Sequence, residues 1–180
     1  MGWSTPLTAA FNSALTAAQW NASVRDNLNE TEAGKASTTG RLIVTTAANA
    51  VVERDVVTSV ISAAETTSNG GYEDLDTVGP AVTITTGAKG LIYVSFYTQN
   101  NVGGGRGWMS HEIEGASFAT ASDQWAAVLT SHGINEIYGA SQITMWHTLT
   151  PGSSTFRAKY RTSTSGTSTF TNRRVTVMAL

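Results

Sequence analysis

The three histidines, His111, His132 and His147, are the residues best suited to acid–base or metal chemistry, yet their spacing joins them into no working set. No H-x-x-x-H, H-x-E or His/Asp triad pattern links them. His111 precedes Glu112 and Glu114, a combination that could form a metal corner or an acid–base pair. Period-two alternation instead puts His111 with Ile113 on one face of a strand and Glu112 with Glu114 on the other. The run Gly103-Gly104-Gly105-Arg106-Gly107 has the glycine content of a phosphate cradle but lacks the lysine and the following helix that such a site needs. It is expected to be a loop. Glu65, Glu73, Asp74 and Asp76 surround the turn TTSNGGYEDLD without meeting the calcium-loop pattern, so a solvated acidic loop is expected. With no cysteine there is no thiolate chemistry. The chain is expected not to be an enzyme, with no catalytic residues, no metal and no cofactor.

Two further groups could bind rather than catalyse. Arg157, Lys159 and Arg161, with Arg173 and Arg174, form the basic cluster of the chain. They could meet the acidic loop of a neighbouring subunit, or form a solvated face that discourages edge pairing. Trp108, Trp125 and Trp146, with Tyr93, Tyr97 and Tyr138, could make a sugar-stacking platform, but in a sandwich such aromatics are usually core or interface.

These residues must be positioned by strands. The C-terminal stretch from Leu149 to Leu180 reads as a hairpin: Phe156, Ala158 and Tyr160 alternate with Arg157, Lys159 and Arg161, and Val175 and Val177 alternate with Arg174, Thr176 and Met178. One face is buried and one is wet. Upstream, SVISAA, AVTITT, GLIYVSFYTQ, GWMSHEIEG, WAAVLTSHGI and SQITMWHTL bring the total to eight candidate strands, punctuated by glycine-rich turns. Such spacing predicts a two-sheet sandwich or jelly roll. The strand GLIYVSFYTQ is apolar on both faces, which fits a central strand or a subunit interface, and the interface is favoured. Tyr93, Phe96, Tyr97, Phe156 and Tyr160 are the expected interface residues.

The N-terminal part differs. Residues 1 to about 15 read as an extended arm with Trp3, Pro6, Leu7, Phe11 and Leu15 as isolated apolar anchors. Thr16 and Gln19 form a capping box that starts a helix, and Gly34 supplies its stop. Trp20, Val24 and Leu28 fall at i, i+4, i+8, a narrow apolar stripe that must be covered by something. GRLIVTT-AANA-VVERDV then reads as a small hairpin, a collar between arm and head. The expected organisation is an anchoring arm and helix over 1–38, a collar over 39–58 and a jelly-roll β-sandwich over 59–180, mainly β in class.

Charged residues are 13% of the chain, about half the usual share of roughly 25%, so the surface is neutral-polar rather than ionic. The net charge of −2 argues against nucleic acid as a partner. No apolar run approaches the roughly 20 residues of a membrane helix, and the start lacks a signal peptide's basic and apolar regions. A soluble protein made in a cytoplasm is expected.

The pattern L-T-P-G-x-x-T-F-x-x-x-Y-R, followed by T-F-x-N-R-R-V-x-V-x-x-L, resembles a jelly-roll domain of phage structural proteins, itself similar to the trimeric head of the C1q/tumour-necrosis-factor class. AVTITTGAKGLIYVSFYTQNN fits the same domain. L-T-A-A-Q-W-N-A-S-V-R-D-N-L, from Leu15 to Leu28, resembles an N-terminal helix of virion proteins from phages of Actinobacteria. The resemblance implies a homotrimeric structural protein of the virion, assembled in the host cytoplasm, whose partners are the major capsid protein or tail proteins. A capsid decoration or head fibre is the expected role, and a minor tail or baseplate protein or a host-glycan-binding receptor module is the alternative. Trp3, Phe11, Leu15, Trp20, Val24 and Leu28 are the expected virion anchors.

Overall fold

The computed structural model describes residues 8, 14–29, 31, 35–48, 50–163 and 166–180. The chain divides into two compact units, residues 1–55 and 56–180. Trp3, Phe11 and the helix stop at Gly34 lie outside the described residues.

In the first unit Thr16 caps the helix as its spacing requires. Its hydroxyl accepts from the Gln19 backbone N–H at 3.2 Å while the Gln19 side chain reaches back to the Thr16 N–H at 3.0 Å. The helix runs through α1 (Ala17–Trp20), a π-helical turn (Asn21–Arg25) and α2 (Asp26–Leu28). The hairpin follows as β1 (Leu42–Ala47) and β2 (Ala50–Arg54), antiparallel. Glu53 ties it to the preceding segment, accepting from the Thr38 N–H at 2.8 Å and the Ser37 hydroxyl at 2.9 Å. The Thr38 and Ser37 bonds hold its carboxyl below the ordinary range, with Arg41 adding to the effect.

The second unit is a sandwich of two antiparallel sheets. Its strands are β3 (Val56–Ile61), β4 (Glu65–Thr67), β5 (Ala81–Thr86), β6 (Gly90–Asn100), β7 (Arg106–Gly115), β8 (Ala127–Thr130), β9 (Tyr138–Trp146), β10 (Gly152–Thr162) and β11 (Ser168–Ala179). One sheet has the order β5-β10-β7-β8, the other β3-β11-β6-β9 with β4 also on β11. The pairs β7·β8, β6·β9, β5·β10 and β3·β11 are the successive rungs of one long hairpin, laid alternately into the two sheets. That winding is a jelly roll, and the fold class is mainly β. The first strand of the head begins at Val56, before the expected boundary at 59, because Val56 already pairs with Met178.

Alternation builds the core. Ile92, Val94 and Phe96 of β6, Phe156, Ala158 and Tyr160 of β10, and Val175 and Val177 of β11 face inward, none more than 2% exposed. Each large apolar side chain so buried contributes on the order of 1.5–3 kcal/mol. The Tyr160 hydroxyl donates to the Gly79 carbonyl at 2.8 Å, so its one polar group is satisfied in the interior.

Candidate functional site

The two outer faces of the head carry opposite chemistry. On the β5-β10-β7-β8 face Arg157 bonds Glu112 at 3.2 Å and Glu114 at 3.4 Å, and Lys159 bonds Asp74 at 2.7 Å and Glu112 at 3.1 Å. Arg161 holds Asp123 through two bonds of 2.6 and 2.9 Å and lies over the Trp108 ring at 3.7 Å. The Tyr72 hydroxyl completes this group by donating to Asp123 at 2.8 Å. The Arg161 bonds hold the Asp123 carboxyl below its ordinary range, while burial and the Asp123 bond push the Tyr72 phenol up. The basic stripe of the sequence therefore meets acids of its own chain, including Asp74 of the acidic loop. The loop is brought there by paired backbone bonds of 2.9 Å between Glu73 and Tyr160.

The outer face of β3-β11-β6-β9 carries little charge and mixes apolar with small polar side chains. Register aligns three rows across it: Val56, Met178, Leu91 and Met145; then Thr58, Thr176, Tyr93 and Ile143; then Val60, Arg174, Ser95 and Ser141. Tyr97 stands beyond them opposite Gly139. Val60, Tyr97, Ile143 and Met145 are each more than two-fifths exposed. A concavity of about 560 Å³ opens among Val60, Tyr93, Tyr97, Ser141, Asn172 and Arg174. Arg174 is the charged side chain of these rows, and no carboxylate among the described residues of the face answers it.

The expected interface set splits in two. Tyr93 and Tyr97 lie on this outer face. Phe96, Phe156 and Tyr160 do not: they are 2%, 0% and 0% exposed within the sandwich, where Phe96 and Tyr160 flank Phe170 at ring distances of 5.4 and 5.1 Å. In β6 both apolar rows are real, but the inner one is filled by the opposite sheet of the same chain, so only the outer one can meet another. Arg173 also departs from expectation. A β-bulge between Thr171 and Arg174, with Asn172 at φ 48°, turns Arg173 inward, where it is 0% exposed. Its guanidinium bonds Glu65 at 3.1 Å and lies 5.4 Å from the Tyr160 ring centre. Burial acts to raise the Glu65 carboxyl, but the Thr77 and Arg173 bonds outweigh it and hold the group low. The sequence carried a signal for the bulge. Phe170 and Val175, five residues apart, are both apolar, and strict alternation would have put them on opposite faces.

The remaining polar groups are dispersed. His111 is inside and Glu112 and Glu114 are outside, as alternation required. Glu65, Glu73 and Asp74 are each bound to different partners, and among the described residues no cluster of three or more His, Cys, Asp or Glu is placed to hold a metal. The tryptophans do not gather into one platform: Trp108 lies under Arg161, while Trp125 and Trp146 pack around His111. The glycine run is a loop only as far as Gly105, since Arg106 and Gly107 open β7, and the loop is tied down by the buried Asn100, whose amide oxygen accepts from the Val102 N–H at 2.9 Å. A Cβ on Gly105 would fall 2.3 Å from that amide, so only glycine fits. In the first unit Leu15, Trp20 and Leu28 are 48%, 55% and 59% exposed, and Val24 is half-buried. Among the described residues no helix is long and apolar enough to cross a membrane.

Fold and faces together define a jelly-roll domain with one outer surface crossed by ion pairs and one with exposed apolar side chains. No protein-family model matches the chain, and no curated protein matches it by sequence. Among solved structures it is similar to the Eiger TNF of S. frugiperda, at 10% identity and a TM-score of 0.48, over 71% of this chain and 94% of that one. It is also similar to a family two carbohydrate esterase from Cellvibrio japonicus, at 11% identity and a TM-score of 0.25, over 70% of this chain and 34% of that one.

Proposed function

We propose that this chain is a non-enzymatic structural protein of a phage virion: a capsid decoration or head fibre whose head assembles as a homotrimer and whose N-terminal arm anchors it to the particle. The observation that carries the reading is the outer face of β3-β11-β6-β9, where Val60, Tyr97, Ile143 and Met145 are each more than two-fifths exposed, beside an opposite face on which the β10 cations Arg157, Lys159 and Arg161 are all ion-paired. Exposed apolar side chains grouped on one face are the kind of surface that protein contacts use. The stripe Leu15, Trp20, Val24 and Leu28 supplies the second contact, to the major capsid protein or to tail proteins, each large side chain contributing on the order of 1.5–3 kcal/mol when buried. Three linked copies multiply such modest contacts through effective concentration. The virion assignment draws on the resemblance of the Leu15–Leu28 helix and of the C-terminal hairpin.

Light scattering of the intact chain at micromolar concentration should report three times the chain mass of 18.9 kDa, and a monomer overturns the trimer. Removing residues 1–38 should leave a folded trimer that no longer joins particles; incorporation of the truncated head overturns the anchor. Copy number separates the positions, hundreds per particle for a capsid decoration and a few to a few dozen for a minor tail or baseplate protein. The receptor alternative draws on the loop end of the head, where Ile134 and Ile137 are 68% and 66% exposed beside Tyr138. A glycan array without binding removes it.

A further inference from the structure

His111 sits at a junction. Its strand β7 belongs to one sheet and Trp146 ends β9 in the other, and the Trp146 indole N–H donates to His111 Nε2 at 3.0 Å. The Trp125 indole, in the connection from β7 to β8, donates to the His111 carbonyl at 3.0 Å. The three rings lie 5.0 to 6.1 Å apart, and His111 itself is 0% exposed. An indole N–H can only donate, so Nε2 must present a lone pair and the ring must be neutral, its proton on Nδ1. Among the described residues Nδ1 is buried without a partner. Protonation would set an N–H against the indole N–H and place a charge in the interior.

We propose that His111 is an acid-sensitive latch between the two sheets: neutral, it fastens Trp146 of β9 to β7, and protonated, it releases that edge of the sandwich. Among the described residues no neighbouring group offsets the charge. Arg106, Glu112 and Glu114 stand on the outer side of β7, and Arg157, Lys159 and Arg161 on the outer side of β10. Asp123, beside Trp125, is bound to Arg161 and Tyr72. Tyr138 is at the far end of β9, His147 is exposed, and β8 has no titratable side chain. Burial pushes the latched imidazole down to about 4 from its ordinary 6.5. The released form binds the proton first. The latch is therefore intact above about pH 6.5 and weakens as pH falls toward 4, the released fraction rising about tenfold per pH unit in that window.

The test is hydrogen exchange of the β9 amides in the intact chain between pH 7.5 and 4.5, corrected for intrinsic exchange, in wild type and His111→Gln. Glutamine places an acceptor oxygen near the Nε2 position and does not titrate there. Wild type should show the extra tenfold per unit in opening, and His111→Gln should not. Equal pH dependence in both overturns the latch. Should the variant not fold, the His111 imidazole resonance of wild type decides: a midpoint near 4 supports it, and one near 6.5 overturns it.

Discussion

The two sheets of the head are built from the same alternation but finish their outer faces differently. On β5-β10-β7-β8, each cation of β10 is answered by an acid from the same chain, and loops bearing Tyr72, Asp74 and Asp123 lie across the strands. On β3-β11-β6-β9 the corresponding rows hold Leu91, Tyr93, Ile143 and Met145 with Thr58, Thr176, Ser95 and Ser141, and Arg174 is their charge. The first face is complete as a monomer. The second leaves Val60, Tyr97, Ile143 and Met145 open, and the proposed trimer is what would cover them.

The difference predicts where substitutions will act. The largest effect belongs to the core that both faces share: Phe156→Ala should cost about 3–5 kcal/mol, read as a lowered midpoint in urea, and should disturb both faces alike. Ile143→Asp, on the β3-β11-β6-β9 face, should convert the proposed trimer to a monomer in light scattering while the circular dichroism of the head stays unchanged. A trimer that survives this charge would move the interface elsewhere. On the ion-paired face, Arg161→Ala should cost about 1–3 kcal/mol, because the bidentate bond to Asp123 and the stack on Trp108 are lost together, and association should be unaffected. Acid should sharpen the contrast. Asp123 and Glu65 are held below their ordinary values, so the stability they supply is present above about pH 4.5 and is lost as pH falls through their lowered values. Charge-neutralising variants Asp123→Asn and Glu65→Gln should flatten that part of the acid-unfolding curve. The smallest effect is that of salt: 1 M sodium chloride should lower the melting temperature of the monomeric Ile143→Asp head by only a few degrees, since it screens exposed pairs worth about 0–1 kcal/mol each.

Much of this asymmetry was legible in the residue order, and its limits were physical. Alternation in Phe156–Arg161 and Val175–Met178 placed the buried and wet sides correctly, because period two is a property of the strand itself. The short β4 escaped notice, since three residues, Glu-Thr-Thr, carry no apolar pattern. Phe96 and Phe156 are expected at an interface from their apolar character and instead lie in the interior, because both environments ask for the same side chains. Which of them is filled depends on sheet order, and sheet order is set by pairings across most of the chain. The basic stripe posed the same difficulty: its acids, Asp74 and Asp123, lie far away in sequence and reach it only through loops that cross the face. Arg173 was misplaced for a local reason, the single extra residue at Asn172.

The position of β11 has a consequence in time. It is the last strand of the jelly roll to be made, yet it lies inside its sheet, bonded to β3 on one side and β6 on the other, with β4 docking beside it. Until it has left the ribosome, β3 and β6 have no neighbour to join them and the β3-β11-β6-β9 face does not exist. If the proposed trimer forms through this face, subunits can recognise one another only after β11 has been made.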